Sequence, residues 1–302
     1  MAQILILGNS KDVHAAHLRE AIAQTGTDVD YLDTAQFPTQ LRLSWSPQTA
    51  EGVLTLPSGQ QFNWQTIRSV FWRSLAAVQV PALPDDQRQI AVNDTMAVLR
   101  TVMQGTSTRW VNSWQAYQFH KEKPRQLGVV HQLGITIPDT LVGNDPVAVL
   151  AFAQRHAKVI FKPVYGGAYI QPLTSQHLQP ERLQLALSCA PIALQEYIPG
   201  TNIRTYVIGD RVYGAEIRSP SLDFRLDTQA ELIPLTLPDV VEQDCRAIAQ
   251  ALWLDWTAID WRRRPDGQYV FLEANPSPMF IHFERQTRYP ITQALVDLLL
   301  SD

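Results

Sequence analysis

The chain has 302 residues, 45% of them hydrophobic and 18% charged, with a formal net charge of −4. That length exceeds one minimal core and points to two or three subdomains. The balance lacks the basic surplus of a nucleic-acid binder, and no apolar run is long enough to span a bilayer. The 2 cysteines, Cys189 and Cys245, make neither a disulfide framework nor a Cys-x-x-Cys site. The first residues carry an apolar run without a basic stretch before it, so they read as a strand and the protein as a cytoplasmic enzyme.

"ILILG", residues 4–8, is a continuous apolar run of the kind buried on both faces of a parallel sheet. Asn9 and Ser10 can cap the helix that follows, and Gly26 can end it. "VDYLD" is a second strand. One glycine at the first turn is too few for the Gly-x-Gly-x-x-Gly dinucleotide fingerprint. "GVLTLPSGQQFNW" reads as a hairpin turning at Pro57-Ser58-Gly59, and "SVFWR" as a further strand. The segment from Asp85 to Gly105 has helical spacing.

A basic, polar stretch then leads into a helix with Leu127, Val130 and Leu133 on one face, closed by Gly134. "DPVAVLAFAQRH" is a short helix with Pro146 near its start. "KVIFKPVYGGAYI" is a strand running into a Gly-Gly loop, and "PIALQEYIPG" is another strand. Two hairpins follow, one around Gly209-Asp210 and one around Pro265-Asp266-Gly267. The boundaries expected are an α/β domain over residues 1–112, a central part over 113–199 and a C-terminal part over 200–302.

The second hairpin carries the strongest chemistry. Asp260 ends "WTAID", Glu273 ends "YVFLE", and Asn275 follows two positions on. Neighbouring strands bring such side chains onto one face. Two carboxylates and a carboxamide form a hard oxygen set suited to Mg²⁺, especially beside nucleotide phosphates; a solvated hairpin end with a capping Asn suits the same residues. Lys162 ends a strand before Gly166 and Gly167, whose backbone N–H groups could meet a polyphosphate, although a strand-end lysine can also simply snorkel. Gln195, Glu196, Tyr197 and Ile198 stand where backbone groups could read an adenine edge, or where an edge strand merely enters a turn. Arg204, Arg218 and Arg225 are forks suited to carboxylate or phosphate, and equally to a half-exposed sheet. His14 and His17 lack a third ligand for zinc. Arg262, Arg263 and Arg264 read as a solvated hairpin edge.

The order of these features resembles the ATP-grasp ligases, and within them the RimK-like branch. The likeness lies in "KEKPRQLGVVHQLGITIPDTLVGND", "VIFKPVYGG", "LQEYIPGTNIRTYVIGD", "IRSPSLDFR" and "YVFLEANPSP". "SVFWR" and "RWVNSW" carry it into the first domain, where it is most similar to the graspetide (microviridin-type) peptide-modifying synthetases. The resemblance implies a mixed α/β (α+β) ATP-grasp fold with a Rossmann-like first domain, a small central domain and an antiparallel C-terminal sheet. It implies that Lys123 and Lys162 hold ATP phosphates, that the loop with Gly166 and Gly167 folds over them, and that residues 195–198 grip adenine. Asn202 falls at a position where the family often has an acidic ribose contact. Arg204, Arg218 and Arg225 fall near the transferred phosphate and the acyl intermediate, and Asp260, Glu273 and Asn275 at the metal ligands. The cofactors implied are ATP and a pair of Mg²⁺ ions, with Mn²⁺ an admissible replacement. One departure is Ser277-Pro278-Met279-Phe280, where the graspetide branch tends to carry Gly-Gln-aromatic.

The reaction implied is ADP-forming: a carboxylate becomes an acyl phosphate, and an amine or hydroxyl then attacks it. The carboxylate belongs to a peptide or to a small molecule, as in glutathione synthesis. No nucleic-acid or membrane partner is expected, and a homo-oligomer is compatible with the sequence. A non-catalytic ATP-binding protein on the same fold is the competing class.

Overall fold

The computed structural model describes residues 3–165, 169–219, 227 and 229–301. The chain folds into two units. One holds the described residues of Met1–Tyr117, Trp253–Trp256 and Ser277–Asp302; the other holds Gln118–Leu252 and Thr257–Pro276.

In the first unit the apolar run near the start becomes β1 (Gln3–Leu7), with Ile4 to Leu7 fully buried. Burial on both faces follows from its place between two parallel neighbours. α1 (Val13–Ala23) starts later than the sequence suggests. Its cap is Asp12, whose carboxylate accepts from the backbone N–H of His14 at 2.8 Å and of Ala15 at 3.0 Å. Asn9 and Ser10 therefore lie upstream of the helix, because a cap must sit one residue before the first helical φ/ψ. β2 (Asp28–Leu32) returns beside β1. β3 (Arg42–Trp45), β4 (Gly52–Thr55) and β5 (Gln61–Asn63) make a small antiparallel sheet, which adds β3 to the expected hairpin. β6 (Ile67–Trp72), α2 (Asp85–Gly105) and β7 (Arg109–Val111) follow. The parallel sheet runs β2-β1-β6-β7. Its core gathers Leu5, Leu7, Val70, Trp72, Leu99 and Trp110, joined by Phe62 from the small sheet and Trp64 just after it.

The polar stretch after β7 is helical: α3 (Trp114–Lys121) precedes α4 (Lys123–Gln132). Leu127 and Val130 are buried on α4, but Leu133 lies beyond the last helical residue and is exposed. Gly134, at φ +80, turns the chain out of the helix in the left-handed region.

The second unit continues with β8 (Thr140–Gly143), α5 (Pro146–Arg155), β9 (Val159–Pro163), β10 (Gln171–Pro172), α6 (Pro180–Cys189) and β11 (Ile192–Glu196). Asp145 caps α5 ahead of Pro146. The antiparallel sheet runs β10-β9-β11-β8 and packs Val159 and Leu194 against Val149 and Phe152 of α5 and Leu183 and Leu187 of α6. Then come β12 (Thr201–Ile208), β13 (Arg211–Arg218), β14 (Glu231–Leu235), α7 (Asp239–Ala251), β15 (Trp256–Arg263) and β16 (Tyr269–Asn275), in a sheet ordered β14-β13-β12-β15-β16. This is the antiparallel C-terminal sheet expected from the sequence.

After Pro276 the chain is back in the first unit with α8 (Ile281–Thr287) and α9 (Ile291–Leu300). α9 packs on α1 and β6, and the buried Ser69 hydroxyl of β6 donates to the Leu299 carbonyl at 2.9 Å. The Ser277–Phe280 stretch is anchored at both ends. Arg73 donates to the Ser277 carbonyl at 2.7 Å, the Ser277 hydroxyl donates to the Arg73 carbonyl at 2.7 Å, and Phe280 is fully buried against His14 and Trp256.

Candidate active site

The register of β15 and β16 sets the geometry. Asp260 lies directly opposite Glu273, and Ala258 opposite Asn275, just before a bulge after Asp260. Residues two apart on a strand, and residues directly opposite across a pair, share a sheet face. Asp260, Glu273 and Asn275 are therefore on one face, all partly accessible, while Ile259 and Ala274 between them are fully buried on the other.

Each carboxylate has its own cation. Arg204 on β12, the strand beside β15, grips Asp260 with a two-pronged contact: Nε to Oδ1 at 2.7 Å and Nη2 to Oδ2 at 2.8 Å. Burial disfavours the Arg204 charge, but Asp260 more than offsets this and the guanidinium is held above its ordinary pKa. Lys123, at the start of α4, donates to Glu273 at 2.6 Å. Burial alone would push the Glu273 carboxyl up; the Lys123 ammonium overrides it, with Lys162 and His120 adding to the effect, and takes it down to about 2. Each carboxylate thus faces a cation, and at Glu273 the field favours the charged form.

α4 also reaches the strand's backbone. The buried Gln126 carboxamide donates to the Ala274 carbonyl at 3.0 Å and accepts from the Ala274 N–H at 2.9 Å. His120 Nδ1 lies 3.1 Å from the same carbonyl, and because a carbonyl only accepts, that nitrogen carries the proton. Burial, then the nearby Lys123, lowers the His120 pKa.

The expected adenine-reading segment leaves β11 and turns. Gln195 is buried and donates to the Thr140 hydroxyl at 3.1 Å. The Glu196 side chain accepts from the Asp139 N–H at 3.0 Å. The Tyr197 N–H donates to the Lys158 carbonyl at 2.9 Å, and the Lys158 ammonium sits 3.8 Å from the centre of the Tyr197 ring. Ile198 is buried. Gly200 permits the next step: at φ +131, a Cβ there would lie 2.0 Å from the Arg263 carbonyl oxygen.

The three consecutive arginines are not a solvated edge. Arg262 donates to the Ile198 carbonyl at 3.0 Å and to the Asn202 side-chain oxygen at 2.8 Å. Arg263 pairs with Glu216 at 2.9 Å, and Arg264 lies 3.7 Å from Glu196. β15 lies beside β12, which begins just after the Tyr197-Ile198 turn, so alternate arginines reach it. Their compact run in sequence hid this, because only strand order shows what lies alongside. Arg218, 63% exposed at its side chain, pairs with Glu216 at 3.0 Å at the far end of β13. Gly166, Gly167 and Arg225 lie outside the described residues.

The donor set fits a hard divalent cation. Two carboxylates lie opposite one another with a carboxamide one step along. Among the described residues no group of three or more His, Cys, Asp or Glu side chains could hold a metal alone, so a cation here would complete its shell with other oxygens. No helix among the described residues is long and apolar enough to cross a membrane.

A parallel-sheet first unit, an antiparallel second unit, and carboxylates facing strand and helix cations define an ATP-grasp ligase. The chain belongs to the RimK-like ATP-grasp family: residues 120–299 match the RimK-like ATP-grasp domain, and residues 3–118 match the MvdD pre-ATP grasp domain. Among solved structures, it is 30% identical to the ATP-grasp ligase PsnB complexed with minimal precursor, Mg and ADP, with TM-score 0.84, covering 98% of this chain and 96% of that one. It is 25% identical to macrocyclase MdnC from Microcystis aeruginosa MRC, bound with precursor peptide MdnA, with TM-score 0.87 over 100% of both chains. A probable alpha-L-glutamate ligase of Haemophilus influenzae is 25% identical over 206 residues, 65% of this chain and 68% of that protein.

Proposed function

We propose that this ligase uses ATP to activate a carboxylate of a ribosomal peptide and joins it to a hydroxyl or amine of the same peptide. The observation that carries the reading is the Asp260–Glu273 pair, each carboxylate held by a cation that a polyphosphate would also attract. Asp260, Glu273 and Asn275 would hold Mg²⁺, as a pair of ions or with Mn²⁺ in its place. Mg²⁺ held there would draw charge off the β- and γ-phosphate oxygens.

The chain's own residues do the rest. Lys123 and Lys162 neutralise phosphate charge, and Lys123 can exchange Glu273 for phosphate because its ammonium is flexible and its three donors rotate. Gln195 to Ile198 form the adenine contact and Asn202 the ribose contact, with Arg262 bracing both. A substrate carboxylate attacks the γ-phosphorus; the bond to the β-phosphate oxygen breaks, and ADP leaves. Arg204 meets the negative charge on the acyl phosphate, with Arg218 on the substrate side. The nucleophile then attacks the acyl carbon, phosphate leaves with the bonding electrons, and the nucleophile loses its proton. Three functional segments, 1–112, 113–199 and 200–302, divide this work in the cytoplasm, with assembly into homo-oligomers part of the same reading.

A second reading is supported by the likeness to the glutamate ligase: an amino acid is added to a carboxylate rather than a peptide being cross-linked. The likeness to PsnB and MdnC along nearly the whole chain favours cross-linking. ADP release with product mass separates them. Wild-type protein is incubated with ATP, Mg²⁺ and peptides rich in Asp/Glu and Thr/Ser/Lys. Loss of one water per ADP supports cross-linking, and gain of an amino-acid residue supports extension. ADP release that persists in Glu273→Ala overturns the metal assignment.

A further inference from the structure

β16 is the last strand of its sheet among the described residues, so its outer edge has no strand to pair with. Buried backbone groups on such an edge need partners. At Ala274 the partner is a side chain. The Gln126 carboxamide makes both hydrogen bonds that a neighbouring strand would make, at 3.0 Å and 2.9 Å, and is itself only 2% exposed.

The position of that contact matters more than its energy. The Ala274 N–H belongs to the peptide joining Glu273 to Ala274. The Ala274 carbonyl belongs to the peptide joining Ala274 to Asn275. One carboxamide therefore clamps both peptide planes between the two residues whose side chains leave on the opposite face. The peptide plane next to each of these two Cα atoms is thereby held in place. Lys123, three residues earlier on the same helix, holds the Glu273 carboxylate itself, and His120 donates a further bond to the Ala274 carbonyl. A single turn of α4 thus fixes the backbone and the carboxylate together.

We propose that Gln126 is a positioning residue for cation binding: it aims Glu273 and Asn275 by acting as a surrogate strand at Ala274. The proposal rests on the reading of Glu273 and Asn275 as metal ligands. Partners that orient ligands in this way typically change metal affinity by about 10–100-fold when removed.

The test compares wild type, Gln126→Leu, Gln126→Glu and Glu273→Gln. Gln126→Leu removes both bonds. Gln126→Glu keeps the shape and the acceptor for the Ala274 N–H. Two readouts are taken: the Mg²⁺ concentration giving half-maximal ADP release at saturating ATP, and binding of Mn²⁺ to the protein–ADP complex by electron paramagnetic resonance, without turnover. The expectation is an affinity about 10–100-fold weaker in Gln126→Leu by both readouts, an intermediate loss in Gln126→Glu, and a kcat that recovers at high Mg²⁺. A merely structural role would lower the unfolding temperature without moving Mn²⁺ affinity. If Gln126→Leu does not fold, Gln126→Glu decides. Unchanged cation affinity in a folded Gln126 variant, with Glu273→Gln impaired, overturns the positioning role alone. Unchanged affinity in Glu273→Gln overturns the ligand reading beneath it.

Discussion

Replacing Lys123 with methionine is the most informative single change outside the facing pair Asp260 and Glu273. In the native protein the Glu273 carboxyl sits at about 2, against an ordinary 4.5. A carboxyl depressed in this way stabilises the fold fully above its unfolded pKa, and that stability is lost as pH falls from there toward the folded value. The gap is worth about 3 kcal/mol at most. Without the ammonium, burial becomes the dominant influence and pushes the carboxyl up, so the variant gains by binding a proton where the wild type does not. Lys123→Met should therefore be less stable at neutral pH by about 3 kcal/mol, within the range for breaking a buried ion pair. The difference should narrow below about pH 5. Urea unfolding of both proteins between about pH 7 and pH 3.5 measures it. A difference that stays constant across that range would refute the assignment of the low Glu273 pKa to Lys123.

Asp260→Ala leaves the half-hidden Arg204 guanidinium without its two-pronged partner. It should cost about 3–5 kcal/mol in unfolding free energy and abolish ADP release; a loss below about 1 kcal/mol would mean Arg204 finds equal company elsewhere. Arg262→Ala removes the bonds to the Ile198 carbonyl and to Asn202, and should raise the KM for ATP about 10-fold with little change in kcat. A kcat effect without a KM effect would contradict the proposed adenine and ribose contacts that Arg262 braces. Burial pushes the Cys245 thiol up to about 12, while Cys189 is exposed. Alkylation of native protein at about pH 8 should therefore add one label, on Cys189, read by peptide mass; labelling of Cys245 before unfolding would contradict its burial.

The pairing of the C-terminal hairpin was readable because it depends on a short-range rule. A tight turn makes its flanking strands neighbours, and the bulge after Asp260, which no local rule announces, then brings Asp260 opposite Glu273. β1, α2 and the helix carrying Leu127 and Val130 were equally readable, since each repeats its period locally. What escaped depends on contacts distant in sequence. Arg262 looked like part of a charged edge because its partners, Ile198 and Asn202, lie some sixty residues earlier. Gln126 carried no signal, since a lone glutamine in a helix gives no hint of the strand 148 residues on. α3 was missed because its polar residues mask a turn-by-turn pattern, and Asp12 lost to the more conventional Asn9-Ser10 pair because both fit a cap until the first helical residue is known.

The return of Ser277–Asp302 to the first unit has a consequence for synthesis. The second unit is contiguous apart from residues 253–256, and all of its segments have left the ribosome once Pro276 has emerged. The first unit begins to appear earlier but finishes later, because β6 and α1 wait for α9, and Ser69 waits for Leu299. Translation order and completion order are thus inverted. An expression fragment ending at Tyr117 would present the bare flank of its sheet where the last helix belongs, so fusions and truncations that shorten the C-terminus should damage the N-terminal core first.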